Sequence, residues 1–158
     1  MSWIDWQNAD AALIEFTRRL IQIRREHLIF RRRGWFSGSP AKSGQLEDLE
    51  WFRPDGAEMV ASDWGVGYAK TLGAFINGNA MTEHDRTGAR IMDDSFFLMF
   101  NSYSEPMEFK LPPKKWARKW TIVLDTADPA TLSDSRSHLF EERVHVAGHA
   151  MVVLRRVA

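Results

Sequence analysis

Two hydrophobic rhythms divide the chain. Between Asp10 and Glu26, apolar residues recur at the three- and four-residue steps of a helix: Leu13, Phe16, Leu20 and Ile23. Ile14 and Ile21 widen that stripe, a breadth that suits burial against more than one neighbour. Asn8 or Asp10 supplies the N-cap. From Gly34 onward the rhythm shortens. A loop-forming stretch, Ser37 to Gly44, is followed by short apolar runs separated by turn residues: Leu49–Phe52, Lys70–Ile76, Ser95–Tyr103, Met107–Leu111, Trp120–Leu124, Glu142–Val146 and His149–Leu154. These predict about seven strands in an antiparallel two-sheet β-sandwich, preceded by one α-helix. Phe96 to Phe100 is apolar on both faces, as in a central strand covered on each side, which places Phe100 in the core. Segments 77–93 and 126–136 read as loops.

Within this pattern, Leu49 to Phe52 alternates as a strand and runs into Pro54-Asp55-Gly56. There Pro54 presets φ and Gly56 tolerates a positive φ, so a hairpin turn is expected. Ser62 is placed to cap a short turn that carries Trp64 inward.

Composition narrows the functions on offer. Apolar residues make up 44% of the 158 positions, so the chain is globular and long enough for its own core. Lys plus Arg and Asp plus Glu each total 21, leaving no net field to draw in nucleic acid or an anionic membrane. The arginines at 18, 19, 24, 25, 31, 32 and 33 are read as a solvated helix edge and as cations complementing the helix C-terminus. With no Cys, disulfides, thiolate metal sites and a Cys nucleophile are excluded. The N-terminal residues do not form a signal peptide, and no apolar run reaches membrane-spanning length, so a soluble, cytoplasmic protein is expected.

Catalytic patterns are sparse. Glycoside hydrolysis needs two carboxyl groups about 5–10 Å apart across a sugar bond. The neighbouring pairs Asp93-Asp94 and Glu141-Glu142 point to opposite faces of a strand and do not converge. Asp93-Asp94 is instead expected to tether a loop to the start of a strand. His145 and His149 flank Gly148 between two strands rather than sharing a helix face, so a metal site is not expected. Neither a nucleophile elbow nor a Gly-rich phosphate loop is present, and no cofactor is expected.

Several motifs in order resemble one family. Trp51-x-x-Pro54-Asp55-Gly56-x-x-Met59 with Asp63-Trp64, Ser2-Trp3-x-Asp5-Trp6, Leu20 to Arg24 with His27, Phe30 to Arg33, Leu72 to Gly78 and Asp93 to Asn101 are similar to the C-terminal region of bacterial glycogen debranching enzymes of the isoamylase type. The resemblance implies that residues 1–33 are a remnant of a catalytic barrel, its post-strand segment and last helix, and that 34–158 form the C-terminal β-sandwich. It implies a parent that hydrolyses α-1,6 branch linkages in glycogen or limit dextrin on barrel strands preceding Met1, leaving this piece non-catalytic and stabilising the barrel. Trp3, Asp5 and Trp6 would then line the substrate rim, with Asp5 accepting a sugar hydroxyl, or the two indoles would pack to close the barrel mouth. Two other readings stay open: a free-standing carbohydrate-binding module using Trp35, Trp51, Trp116 or Trp120, and an interaction protein that self-associates through its helix.

Overall fold

The computed structural model describes residues 8–40, 45–66, 70–128 and 136–157. Helix α1 spans Ala11–Glu26, and Asp10 caps it: its Oδ1 accepts the N–H groups of Ala12 and Leu13 at 2.8 and 3.2 Å. Arg24 and Arg25 occupy its last turn, where cations complement the helix dipole. Among the described residues eight strands follow: β1 Leu49–Phe52, β2 Thr71–Ile76, β3 Phe96–Asn101, β4 Met107–Lys110, β5 Lys119–Asp125, β6 Ser137–Leu139, β7 Arg143–Val146 and β8 Ala150–Val157. They form an antiparallel six-stranded sheet in the order β1-β2-β3-β8-β5-β6 and a second sheet of β4 and β7. The expected sandwich is present, with eight strands instead of about seven. The additional strand, β6, is three residues long, with Ser137 and His138 polar, too short to leave a periodic signature.

Alternation sorts the large sheet into two faces. Phe52, Phe75, Phe97, Met99, Trp120, Ile122, Val152 and Leu154 point inward, where they meet Phe109, Val144 and Val146 of the small sheet. Trp116 closes this core, its ring centre 5.2 Å from that of Phe52 and 4.9 Å from that of Phe75. On the opposite face lie Leu49, Ile76, Phe96, Leu98, Met151 and Val153, packed with Ile23, Ile29 and Phe30 from the helical segment. A register shift between Ile122 and Leu124 in β5 turns both Val123 and Leu124 toward this second cluster.

β3 is central, as its sequence suggested, between β2 and β8. Phe100 is only half-buried, however, whereas Phe96, Phe97 and Met99 are fully buried. Phe100 shares the helix-side face with Phe96 and Leu98 but lies beyond the helix's reach.

The Pro-Asp-Gly turn forms as expected. Gly56 takes φ of 82°, its N–H donates to the Arg53 carbonyl at 3.0 Å, and the Arg53 N–H donates to the Ala57 carbonyl at 2.9 Å. After it comes a 3-10 turn, Ala61–Gly65. Two details differ from expectation. Asp63, not Ser62, holds this turn, its Oδ2 accepting the Val60 N–H at 2.8 Å, and Trp64 points outward. One residue of phase in a tight turn separates inward from outward, and Asp63 sets that phase.

Candidate functional site

Of the residues expected to meet substrate, Trp3, Asp5 and Trp6 lie outside the described residues. The recognisable motifs among the described residues act mainly as anchors. His27 Nδ1 lies 2.9 Å from Asp93 Oδ1, and Asp93 Oδ2 accepts the Ile29 N–H at 2.9 Å. A carboxylate at the foot of β3 thus holds the end of the helix, where the Asp93-Asp94 pair is expected from the sequence to tether a loop to the start of a strand. Arg32 plays the same part for the next segment. Its buried guanidinium lies 3.3 Å from Asp48 Oδ2 and stacks over Phe36 at 4.2 Å, while Asp48 accepts the Ser37 and Gly38 N–H groups. Asn77 and Asn101, at the ends of β2 and β3, donate to backbone carbonyls: Leu46 and Glu47 for the first, Glu105, Val146 and Ala147 for the second. Gly78 is compelled by close approach, since a Cβ there would meet the Asp93 carbonyl oxygen at 2.1 Å.

The carboxylates fall into local pairings. Asp94 faces Arg155 at 3.6 Å, Glu141 faces Lys110 at 3.1 Å, and Glu142 faces His138 at 3.4 Å. His145 pairs across strands with Glu108 at 3.0 Å, and His149 occupies a turn with φ of 52°, so the two histidines do not converge. His27, Asp93 and Asp94 do lie close enough to share an ion, yet each is already bonded within the fold.

Two acids, Glu83 and Asp85, line a cleft of ≈ 570 Å³ with Arg31, Arg33 and Arg86. Burial pushes the Glu83 carboxyl up, but hydrogen bonds from backbone N–H groups, Gly34 first, and the charge of Arg32 leave it below its ordinary value. Hydrogen bonds from the Thr87 hydroxyl and N–H groups likewise hold Asp85 low. Neither is suited to remain protonated as a general acid. One acid is shifted the other way: burial, and a hydrogen bond that its protonated carboxyl donates to Glu47, raise Glu50 to about 7. Glu47 is close enough to Glu50 to act on its carboxyl, closer than the pair of carboxyls that must flank a sugar bond.

Two apolar features remain unfilled. Leu13 is 60% and Ile21 51% exposed, because only Phe16, Leu20 and Ile23 reach the sheet from α1. Beside them a cavity of ≈ 290 Å³ opens between helix and sheet, lined by Leu20, Ile23, Phe30, Leu98, Leu124 and Met151. Of the tryptophans proposed for a binding module, Trp116 and Trp120 are buried in the core and unavailable to a ligand. Trp51 is half-buried, and Trp35 is 94% exposed. Trp64, expected inside, stands beside Trp51 on the surface. No periodic signal marks it, since it lies in a 3-10 turn.

Among the described residues no helix is long and apolar enough to cross a membrane.

Comparison with known proteins gives this arrangement relatives. The chain is 42% identical over 132 residues to a glycogen operon protein GlgX homolog of Mycobacterium tuberculosis, covering 82% of this chain and 18% of the relative. It is 27% identical over 128 residues to an isoamylase of a Flavobacterium species, covering 80% and 15%, and 23% identical over 116 residues to a glycogen debranching enzyme of Dickeya chrysanthemi, covering 73% and 14%. A solved pullulanase type I from Bacillus subtilis, complexed with maltose, superposes with a TM-score of 0.49 at 14% identity over 92% of this chain and 15% of that one. The chain therefore spans less than a fifth of the length of the curated relatives it matches. The model of the isoamylase C-terminal family matches residues 48–154, from the Asp48 anchor through β8, and the chain belongs to that family.

Proposed function

We propose that the chain is the C-terminal, non-catalytic part of a cytoplasmic glycogen debranching enzyme, and that it stabilises the catalytic barrel of that enzyme. Hydrolysis of α-1,6-glucosidic linkages in glycogen or limit dextrin belongs to the barrel, whose strands would carry the paired carboxylates. Residues 1–33 would be the barrel's closing segment and last helix, and 34–158 the sandwich. Trp3, Asp5 and Trp6 would then sit at the substrate rim.

The observation that supports this reading is the half-covered face of α1 and the large sheet. Leu13, Ile14 and Ile21 are exposed on α1, and the cavity between helix and sheet is lined by apolar side chains together with Arg24. An apolar surface of this kind marks an interaction site, and a barrel immediately upstream would cover it. The test joins the chain to the catalytic portion of the Mycobacterium relative in place of that protein's own C-terminal stretch. The chimera is expected to release reducing ends from branched glucan, and the isolated 158-residue chain to release none. Leu13→Lys with Ile21→Lys should abolish activity of the chimera while leaving the β core of the isolated chain folded, as read by near-ultraviolet circular dichroism. Equal activity of the altered chimera would refute the docking role. Hydrolysis by the isolated, purified chain would refute the non-catalytic one.

A further inference from the structure

Trp51 and Trp64 meet edge to face, with ring centres 5.6 Å apart and planes at 87°. Trp51 is carried by the edge strand β1, and the Trp51 carbonyl accepts the Met59 N–H at 2.8 Å, which brings the chain back toward the 3-10 turn bearing Trp64. Trp64 is 57% exposed. Beside the indoles stands a fixed polar array. Arg53 donates through Nε and Nη2 to both oxygens of Asp55, at 3.2 and 3.0 Å, and its Nη1 lies 3.6 Å from Asp63 Oδ1. Asp63 is itself pinned through its bond to the Val60 N–H.

We propose that this corner binds the glucose units of an α-glucan, with a pyranose ring stacked on Trp64 and adjacent hydroxyls bonded to Arg53 and Asp63. A pyranose offers an apolar C–H face and an equatorial fringe of hydroxyls. An indole takes the first, as an amphipathic aromatic body suited to half-wet contacts. A guanidinium and carboxylate side by side take the second, one donating and the other accepting. The perpendicular rings favour a chain whose successive sugars tilt, as α-1,4-linked glucose does. The flat ribbon of a β-1,4 chain would need coplanar rings. The preference for α-glucan over another coiled polysaccharide rests on the function proposed above, whereas the sugar chemistry rests on the corner itself.

The test is affinity electrophoresis of the 158-residue chain in gels containing glycogen or hydroxyethyl cellulose, with maltoheptaose titrated against Trp fluorescence. Glycogen should retard the unaltered chain and Trp35→Ala alike, and the cellulose derivative should retard neither. Trp64→Ala should weaken maltoheptaose binding on the order of tenfold or more, the loss of one stacked aromatic contact. Trp64→Phe, which keeps an aromatic face, should retain most of the binding. An unretarded parent chain, equal binding by Trp64→Ala, loss in Trp64→Phe as complete as in Trp64→Ala, or equal retardation by the cellulose derivative would each overturn the proposal. So would sedimentation showing a dimer that Trp64→Ala dissolves, because a second copy would then fill the corner. The chimera experiment alters only the helix, so docking and glucan binding can fail independently.

Discussion

His27 and Asp93, 66 positions apart, join the end of the helix to the foot of the central strand with a 2.9 Å contact. Both side chains are nearly buried, and His27 packs its ring edge against Phe96 at 4.7 Å between centres. Because Asp93 also accepts the Ile29 N–H, one carboxylate fixes both a side chain and a backbone group. Asp93→Ala should destabilise the chain by about 1.5–3 kcal/mol, the range for losing hydrogen bonds to a charged group and stranding a partner. Amide exchange in the last turns of α1 should accelerate more than in β5. Unchanged protection of Ile23 in that variant would show that apolar packing alone holds the helix.

The central strand offers a sharper comparison. Phe97 fills the inter-sheet core, within 5.4 Å of Phe52 and 5.7 Å of Trp120 between ring centres. Phe97→Ala should cost about 3–5 kcal/mol as a truncated core aromatic. Phe100→Ala should cost clearly less, since its side chain is half-buried on the outer face. Denaturant midpoints for the two variants decide this, and equal losses would contradict the assignment of faces.

That contrast marks where the sequence stops being informative. The run from Phe96 to Phe100 identifies a central strand, because a continuous apolar stretch needs cover on both sides. It does not reveal how far each cover extends, since that depends on where α1 happens to lie. The hairpin at Gly56 was legible because positive φ and Pro54 act locally. Trp64's orientation was not, because it follows from a single hydrogen bond between Asp63 and Val60. The same limit applies to the aromatic corner. Trp51 and Trp64 are thirteen positions apart, and only the hairpin brings them into contact.

Glu50 gives stability a pH dependence of predictable sign. Burial first, then the neighbouring Glu47, raise its carboxyl from 4.5 to about 7, so the folded chain holds this proton more tightly than the unfolded chain. Stability from that proton is fully present below about 4.5 and is lost as pH rises toward about 7. Glu50→Gln, which cannot ionise, should flatten the slope of the denaturation midpoint across this window and raise the midpoint at pH above 7. A slope identical in both proteins would mean that other groups govern the window.

The helix carries the last expectation. A stripe as wide as that of α1 predicts either collapse onto the sandwich or self-association. Around the helix, Phe16, Leu20 and Ile23 turn to the sheet, while Leu13 and Ile21 remain open. Each such side chain forgoes roughly 1.5–3 kcal/mol of burial when fully bared, and these two keep only part of that exposure. The resulting drive is small for one chain, but a two-fold pairing uses every exposed residue twice. Where no barrel is present to cover the helix, the isolated chain should therefore associate weakly as a symmetric dimer through this face. Leu13→Lys with Ile21→Lys should leave it monomeric, with the β core unaltered by near-ultraviolet circular dichroism. Sedimentation at increasing concentration provides the measurement, and a strictly monomeric parent chain would show that the open half of the stripe is tolerated in water.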